Sequence, residues 1–436
     1  MCESLKKFII AICILFLFLL IFSANILNAF PMSYDLRKFN RVTSVKNQGI
    51  PGPCWAFAAL GSMESNFLTQ YPGNITDLSE MHLAYYMYRN PKPEKNFTSW
   101  KKSGTLNLEG NIFMATAFLS RFAGPVKESS LEYSSSELRS LKSNKGSPEN
   151  YKREMILKDV FFMSRTSQPD NNLRKKLIQD YGGIVISFYS NVRSYHSANN
   201  STTYFNPEHG NKTNHDVIII GWDDNYPREN FKPQPSRDGA WLIKNSWGVL
   251  RGSGGYFLLS YDQFIYGGAV FVAEKNNSRL KHYGYDDLGW CGNSSYKFAA
   301  NIFKIDSEHE ILSDIGIYTP ENNINYEIKI YDLGNNKNLN LNSAKLLTEL
   351  KNNMNYAGYH KIKLNQKILL EQNKYIAVVV KMPKIFPVEL KREKYSEKFI
   401  VNAGESYFSN DGVNWTDGFN LKMNACIKIF TETRNY

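Results

Sequence analysis

The spacing of apolar residues changes along this chain, and that change restricts the fold more than any other feature. Up to about residue 183, apolar residues recur at the three- and four-residue spacing of helices. From Ile184 onward they form short runs of β-branched and aromatic residues, separated by Gly, Pro, Asn and Asp. Beyond about residue 280 nearly every run is typical of a strand. The order predicts an α+β unit followed by an all-β unit.

Helices are predicted from Cys54 to about Leu68, from the segment Asp77–Glu80 onward, over 111–122 and over 170–183. Strands are predicted at 184–189, 216–222, 240–247 and 256–261. The polar segment 134–151 is expected to be a surface loop or insertion. A helical half and a β half imply a cleft between them, which is a natural place for a functional site.

The length of 436 residues predicts two or three domains. We expect a targeting segment at 1–29, a two-lobed α+β domain at 30–278 and an antiparallel β-sandwich at 279–436. The polar stretch 274–282 would join the last two and is expected to be exposed.

The N-terminus has the features of a secretory signal. Lys6 and Lys7 precede an apolar run from Phe8 to Phe22, and small residues surround Ala29. Cleavage after Ala29 would start the mature chain at Phe30. Because the apolar run is long for a signal, an uncleaved membrane anchor is the alternative. Either way the folded part is expected to be secreted or at the cell surface.

The net charge of +11 is scattered over the sequence without a long basic run. A nucleic-acid interface would require clustered basic residues, so the charge indicates a solvated surface and no nucleic-acid partner.

The chain has five cysteines, and Cys2 and Cys13 lie in the predicted signal. Three remain, so at least one has no partner within the exported chain. An odd cysteine in an exported protein is a candidate reactive thiol. If Cys291 and Cys426 pair, that thiol is Cys54. The alternative is that Cys54 is a buried packing residue, which is the commoner fate of a free cysteine.

Cys54 stands at the predicted N-terminus of a helix, where the backbone dipole favours a thiolate. A nucleophilic cysteine also needs a base and a group that orients the base. His215 begins one apolar strand, and Asn245 ends another. Asn245 would accept the N–H of His215 and fix its tautomer.

Two more residues complete the candidate site. Trp247 would shield the bond between histidine and asparagine from water, and Gln48 would donate to an oxyanion together with the Cys54 N–H. Each residue alone has an ordinary structural explanation, such as a strand-end histidine or a turn. Their joint occurrence around the odd thiol favours catalysis.

Three separated motifs resemble the papain family of cysteine peptidases: VKNQG…CWAF, NHDVIIIGW and LIKNSWG…GGYF. The resemblance covers residues 31 to about 275. It implies a papain-like fold in which Cys54 is the nucleophile, His215 the general base and acid, Asn245 the orienting residue and Gln48 an oxyanion donor.

The resemblance also implies a binding site for extended protein or peptide substrates. The stretch LEGNI resembles the family's Gly-Gly segment, which pairs with the substrate backbone. Gly110 is kept, whereas Asn111 stands where the second glycine would be. Gly110, Asn111 and Trp247 are therefore the expected substrate-binding residues.

The sequence departs from the family pattern around the nucleophile. Pro51 replaces a disulfide cysteine, and Pro53 removes the backbone N–H next to Cys54. Asp216 follows the histidine where the family has a small residue. If Asp216 approached the imidazole it would raise the pKa of His215, and otherwise it would have no effect. Only a short stretch separates the signal from the first motif, so activation is expected to need no pro-segment, or another element guards the cleft.

The C-terminal part resembles the lectin-like domain of prokaryotic papain-like peptidases. The matching stretches are YGYDDLGW, AANIFKI and GIYTPENNINYEIKIYD. The resemblance implies attachment to the cell surface or to carbohydrate, without naming binding residues. A packing partner for the catalytic domain is the alternative.

The function predicted from sequence is that of an exported cysteine endopeptidase with a thioester acyl-enzyme. That chemistry needs no metal or organic cofactor, and the turn at Asp223–Asn225 is interpreted as a solvated loop and not a calcium site. One alternative is a cell-wall amidase or peptidase. Another is a catalytically idle adhesin whose β-domain binds glycans.

Overall fold

The computed structural model describes residues 30–49, 52–88, 101–102, 105–106, 109–140, 148–163, 171–391 and 400–433. The predicted signal at 1–29 and Pro51 lie outside the described residues. Among the residues described, no helix is long and apolar enough to cross a membrane.

The helices of the described residues are α1 (Cys54–Gln70), α2 (Glu80–Tyr88), α3 (Ile112–Leu119), α4 (Ser135–Ser140), α5 (Asn171–Tyr181) and α6 (Gly418–Leu421). The four predicted helices correspond to α1, α2, α3 and α5. Helix α2 begins where Ser79 Oγ accepts the N–H of His82 at 3.0 Å, which is an N-cap contact.

Helix α4 lies inside the segment that we expected to be an irregular loop, so that expectation is wrong for 135–140. Ser134 Oγ accepts the N–H of Glu137 at 3.3 Å and caps the helix. Leu138 is buried, and this contact with the core stabilises a helix too short to form alone.

The strands of the N-terminal part are β1 (Ser33–Asp35), β2 (Lys101–Lys102), β3 (Thr105–Leu106), β4 (Met155–Met163), β5 (Ile184–Phe188), β6 (Tyr195–Ala198), β7 (Ser201–Tyr204), β8 (His215–Asp223), β9 (Ala240–Lys244), β10 (Tyr256–Ser260) and β11 (Ile265–Lys275). Those of the C-terminal part are β12 (Leu280–Gly284), β13 (Gly292–Ser294), β14 (Phe298–Lys304), β15 (Glu310–Thr319), β16 (Ile324–Gly334), β17 (Lys345–Met354), β18 (Gly358–Leu369), β19 (Tyr375–Lys381), β20 (Phe386–Leu390), β21 (Ser406–Ser409), β22 (Thr416–Asp417), β23 (Met423–Ala425) and β24 (Ile427–Thr433).

One sheet runs through both parts of the molecule. Its order is β12-β24-β15-β18-β4-β11-β5-β8-β9-β10-β7-β6, with β1 paired to β8. The two parts meet where Gly358–His360 of β18 pairs antiparallel with Asp159–Phe161 of β4. The join is also less exposed than expected, because Leu280 is buried and its carbonyl accepts Arg153 Nη2 at 3.0 Å.

The C-terminal part is a β-sandwich, as predicted. Its share of the large sheet packs on a second sheet of order β17-β16-β19-β14-β21-β22. Apolar side chains from both sheets form a common core; among them are Leu312, Ile315, Ile317, Ile328, Ile330, Val378, Val380, Ile427 and Ile429. Each such side chain contributes about 1.5–3 kcal/mol on burial.

Cys291 and Cys426 are not joined by a disulfide in this structure. Strand β20 lies between them, because it pairs with β13, which follows Cys291, and with β23, which precedes Cys426. Two ladder spacings separate their backbones by about 10 Å. A disulfide needs Cα atoms within about 7 Å, so these cysteines do not form one without a rearrangement of β20.

Polar contacts fix helix α1 on the sheet and thereby set the position of its first residue, Cys54. Ser62 Oγ donates to the carbonyl of Gly183 at 2.6 Å, and Asn66 Nδ2 donates to the carbonyl of Tyr181 at 2.8 Å. Gly61 lets the helix approach closely, since a Cβ there would lie 2.4 Å from Ile218 Cδ1.

Candidate active site

The candidate nucleophile is the first residue of α1. Pro53 is the N-cap at φ −80° and ψ 70°, and the N–H of Cys54 donates to the carbonyl of Gly52 at 3.0 Å. These values describe an inverse γ-turn. The turn leaves Cys54 partly exposed, whereas Trp55 is buried beneath it. A partly exposed thiol at the positive end of a helix dipole is suited to react as a thiolate.

His215 and Asn245 come together from two strands. His215 opens β8 and Asn245 follows β9, and His215 Nε2 lies 2.9 Å from Asn245 Oδ1. The N–H of Ser246 also donates to this oxygen, at 2.8 Å, which fixes the orientation of the amide. Since an amide oxygen only accepts, Nε2 carries the proton and Nδ1 is left to act as a base.

Trp247 covers the histidine. Its ring stacks on that of His215 at 4.8 Å between centroids and 22° between planes. The stacked indole covers one face of the imidazole.

The thiol of Cys54 lies near the start of β8, where the backbone N–H of Asp216 donates to its sulfur. Because Asp216 directly follows His215, this contact places the thiol close to the strand residue that carries the imidazole.

Burial opposes charge on both groups. It raises the pKa of Cys54 to about 12, with a further increase from the charge of Asp216. It lowers the pKa of His215 to about 4, whereas the hydrogen bond to Asn245 acts to raise that pKa. In such a site a thiolate is stabilised chiefly by a neighbouring imidazolium, and the imidazolium by the thiolate.

Hydrogen bonds fix both the side chain and the backbone carbonyl of Gln48. Its Oε1 accepts Ser246 Oγ at 2.5 Å, and its carbonyl accepts the hydroxyl of Tyr133 at 2.7 Å. Its Nε2 donates to the carbonyl of Gly52 at 3.3 Å. The Cys54 N–H donates to the same carbonyl. The two expected oxyanion donors therefore point at one position.

Gly110 and Asn111 directly precede α3, and Gly110 lies against Trp55, the residue after the nucleophile. A Cβ on Gly110 would lie 2.4 Å from the indole of Trp55, so only glycine fits there. Asn111 is the N-cap of α3, where its Oδ1 accepts the N–H groups of Phe113 at 2.9 Å and Met114 at 3.1 Å. Its side chain therefore caps the helix, and its backbone is extended.

The sequence profile described as "Papain family cysteine protease" matches residues 30–269, more than half of the chain. This chain belongs to the papain family. The profile described as "Lectin like domain" matches residues 282–431, which fits the β-sandwich.

Relatives of this papain-family chain include the viral cathepsin of Choristoneura fumiferana nuclear polyhedrosis virus, 29% identical over 228 residues. The match covers 52% of this chain and 58% of the viral protein. A probable cysteine protease of Arabidopsis thaliana is 26% identical over 230 residues, covering 52% of this chain and 55% of the plant protein. The chain thus spans less than two thirds of these relatives' length.

Two solved structures share the whole arrangement. The Clostridial cysteine protease Cwp84 after propeptide cleavage superposes with a TM-score of 0.78 at 24% identity, covering 92% of this chain and 99% of that one. A second structure comprises the cysteine protease and lectin-like domains of Cwp84, described as a surface layer associated protein of Clostridium difficile. It gives 0.78 at 23% identity, with coverage of 93% and 90%. At this identity the likeness shows the fold.

Asp216 behaves differently from either alternative considered for it. Consecutive strand residues point to opposite faces, so its carboxylate does not lie on the imidazole side of β8. Its charge acts on the thiol and raises the pKa of Cys54. Its Oδ1 accepts Ser187 Oγ at 2.5 Å, and burial raises the pKa of Asp216 to about 6.

A cluster of charges that the sequence interpretation missed lies behind the site, and its carboxylates are buried except that of Asp77. Lys46 Nζ contacts Glu64 at 3.0 Å, Asp77 at 2.6 Å and Glu80 at 2.8 Å. Lys244 Nζ donates to Thr43 at 3.0 Å. The only signal in the sequence was charged residues inside otherwise apolar segments, which is not specific.

The described N-terminal residues do not guard the cleft. Phe30 packs edge-on against Trp222, and β1 pairs with the end of β8 at Gly221–Asp223. That end is roughly 20 Å from His215 along the strand.

Within the described residues no group of three or more His, Cys, Asp and Glu side chains is arranged to hold a metal. At the Asp223–Asn225 turn, Asp224 accepts Lys175 Nζ at 2.6 Å and the hydroxyl of Tyr261 at 2.6 Å.

Proposed function

We propose that this protein is an exported cysteine endopeptidase that uses Cys54, His215, Asn245 and Gln48. The observation that carries the proposal is the 2.9 Å contact of His215 Nε2 with Asn245 at the position where the Cys54 sulfur meets β8. A nucleophile, a base and an orienting group within one cleft are the parts that acyl transfer requires.

In the proposed reaction, His215 Nδ1 takes the proton of Cys54, and the thiolate attacks the peptide carbonyl. The carbonyl oxygen becomes an oxyanion that accepts from Gln48 Nε2 and the Cys54 N–H. These donors now point at the Gly52 carbonyl, so the oxyanion would replace that acceptor. The imidazolium then gives its proton to the leaving amine. Water, activated by His215, hydrolyses the thioester and restores the thiol.

Two features support export and a surface location. The first is the signal-like segment at 1–29, and the second is the β-sandwich beginning near residue 279. The Cwp84 structures carry the same pair of folds in a protein described as surface layer associated. We propose that peptides or proteins are the substrates and that the C-terminal domain binds carbohydrate at the cell surface.

Covalent labelling of Cys54 tests the catalytic proposal. Residues 30–436 would be treated with an epoxysuccinyl reagent at mildly acidic pH, where an ordinary thiol is almost all protonated. We expect rapid modification of Cys54, mapped by mass spectrometry, and its loss in His215→Ala.

Cys291 is the internal control, because it is also a partly exposed thiol outside a disulfide, and its sulfur donates to the carbonyl of Leu390 at 3.3 Å. Equal labelling of Cys291 and Cys54, or an unchanged Cys54 rate in His215→Ala, would contradict the proposed pair. An inert Cys54 in a chain that binds glycans would favour the idle adhesin.

A further inference from the structure

Tyr133 contacts both elements that carry the proposed oxyanion donors. Its hydroxyl donates to the backbone carbonyl of Gln48 at 2.7 Å. Its ring meets that of Phe57 edge-on, at 4.8 Å between centroids and 84° between planes. Phe57 lies in α1, the helix that begins at Cys54, and both Phe57 and Gln48 are buried. One side chain therefore joins the helix of the nucleophile to the segment that carries Gln48.

The contacts of Gln48 show what the Tyr133 hydroxyl adds. The Gln48 N–H donates to the carbonyl of Ser246 at 2.8 Å, and Gln48 Oε1 accepts Ser246 Oγ at 2.5 Å. Ser246 thus fixes the peptide plane before the Cα of Gln48 and the side-chain amide. The carbonyl of Gln48 belongs to the peptide plane after that Cα. Tyr133 fixes this second plane, so both sides of the Cα are anchored and the direction of the side chain is set.

The segment of Tyr133 packs along the peptide that follows Gln48. The Tyr133 N–H donates to Glu128 Oε1 at 2.7 Å, which holds the tyrosine in place. A Cβ on Gly49 would lie 2.8 Å from Ser135 Oγ, and Gly49 has φ 67°. Only glycine fits both the backbone angle and the close approach. The stretch from Tyr133 to Ser135 therefore supports the Gln48–Gly49 peptide from the side away from Ser246.

We propose that Tyr133 is a positioning residue that holds Gln48 Nε2 and the Cys54 N–H at the separation an oxyanion needs. The inference rests on the proposed peptidase function. An oxyanion donor stabilises the transition state only if it is already in place when the charge develops. Without the hydroxyl, the peptide after Gln48 loses this anchor, and Nε2 no longer keeps a fixed distance to the Cys54 N–H. Such a displacement lowers the rate of the chemical step without changing substrate affinity.

The hydroxyl is tested with Tyr133→Phe, which keeps the ring on Phe57. The matched control is Tyr285→Phe in the C-terminal part, because the Tyr285 hydroxyl also donates to a backbone carbonyl, that of Ile302, at 2.5 Å. Both kcat and KM are measured with a quenched fluorogenic peptide that the native chain cleaves. Active enzyme is counted by titrating Cys54 with an epoxysuccinyl reagent, so misfolded protein does not affect kcat.

We expect kcat of Tyr133→Phe to fall by about tenfold, with KM changed by less than about twofold. Tyr285→Phe should keep the native kcat. The second readout is alkylation of Cys54 by iodoacetamide, because displacement of iodide from a saturated carbon forms no oxyanion. Its rate should be the same in Tyr133→Phe and in the native chain, since Cys54 and His215 are unaltered. A merely structural role would lower both rates together.

A double-variant cycle shows whether Tyr133 acts through Gln48. Gln48→Ala should lower kcat by about 100-fold or more, the effect of losing one oxyanion donor. In that background Tyr133→Phe should add a loss of less than about twofold, because no side-chain amide is left to position.

Three results would overturn the inference. They are an unchanged kcat in Tyr133→Phe, an equal fall in kcat and in the alkylation rate, or a full further loss in the Gln48→Ala background. The second would mean that Tyr133 supports the fold or the thiol, and the third that it acts apart from Gln48. A native chain that neither cleaves any peptide nor reacts at Cys54 would instead remove the proposed function itself.

Discussion

At the scale of single residues, burial of Cys54 and His215 disfavours the thiolate or the imidazolium when either one forms without the other. Burial lowers the pKa of His215 to about 4, and the hydrogen bond to Asn245 is the contact that raises it. Asn245→Ala removes that acceptor, so the pKa of His215 falls further and the ion pair with Cys54 is less populated. We expect the alkylation rate of Cys54 at mildly acidic pH to fall by about tenfold, the effect of about one pKa unit.

The rate would be measured across pH for the native chain and for Asn245→Ala, with Asn225→Ala as the control. Asn225 lies on an exposed turn beyond the end of β8. A native rate profile in Asn245→Ala would show that Asn245 neither orients nor stabilises the charged histidine.

The sequence predicted which residues meet in the site but not how each one acts. Cys54, His215, Asn245 and Gln48 stand in motifs whose order and composition are specific. The effect of Asp216 depends on which face of β8 it occupies, and a one-residue change of register reverses that face. The direction of its influence on Cys54 was therefore beyond sequence reasoning.

At the scale of elements, helix α3 connects the cleft to the C-terminal part. Gly110, just before its N-cap Asn111, lies against the indole of Trp55, and Ala117 in the helix lies close to Gly289 in the segment before β13. Residues at both ends of the helix also contact that segment. Arg121 lies 3.5 Å from Asp287, and the ring of Phe113 meets that of Trp290 edge-on at 5.9 Å. The domain that resembles a lectin thus helps to hold a wall of the cleft.

Gly289 sits at this contact, at φ 62°, with space for no side chain. A Cβ there would lie 2.7 Å from the Tyr318 hydroxyl and 2.9 Å from Ala117 Cβ on α3. We expect Gly289→Ala to lower the free energy of unfolding by about 1–3 kcal/mol beyond the cost of the backbone angle.

Gly334→Ala is the matched control, because Gly334 has φ 58° and nothing within 4 Å of the added Cβ. Thermal unfolding of the two variants separates the steric cost from the backbone cost. Equal losses in both variants would show that the contact with α3 is loose.

Asn111 shows how an element can explain a departure from the family pattern. Asn111→Ala removes both side-chain contacts to the first turn of α3, and we expect a loss of about 1 kcal/mol in the free energy of unfolding. Asn111→Asp keeps an acceptor and should keep most of the stability. Denaturant unfolding checks both, and an Asn111→Ala chain as stable as the native one would mean that the cap contributes nothing.

At the scale of the whole molecule, the two domains are less separate than the sequence suggested. The composition change near residue 280 indicates where the sandwich starts. It does not indicate that β4 pairs with β18. Strand pairing between segments about 200 residues apart has no local sequence signal, because each strand has the same alternation whichever neighbour it takes. The fold class was therefore predictable and the continuity of the sheet was not.

The continuous sheet implies that the catalytic domain depends on the C-terminal one. Without β18, the backbone groups of Asp159–Phe161 would become an unpaired edge. His360 would also be lost, and with it the 3.1 Å contact of its Nδ1 with Asp159. An uncovered strand edge beside apolar rings favours association between chains. We expect residues 30–278 expressed alone to aggregate, whereas residues 30–436 unfold in one cooperative transition.

Size-exclusion chromatography and calorimetry of the two chains test this dependence. A variant of the full chain, Tyr359→Pro, distinguishes loss of pairing from loss of the whole domain, since proline cannot donate to the ladder between β18 and its neighbours. If the edge matters, this variant should unfold at a lower temperature and expose the β4 edge to proteolysis. A monomeric 30–278 fragment with the stability of the full chain would show instead that the shared sheet only joins two domains that fold independently.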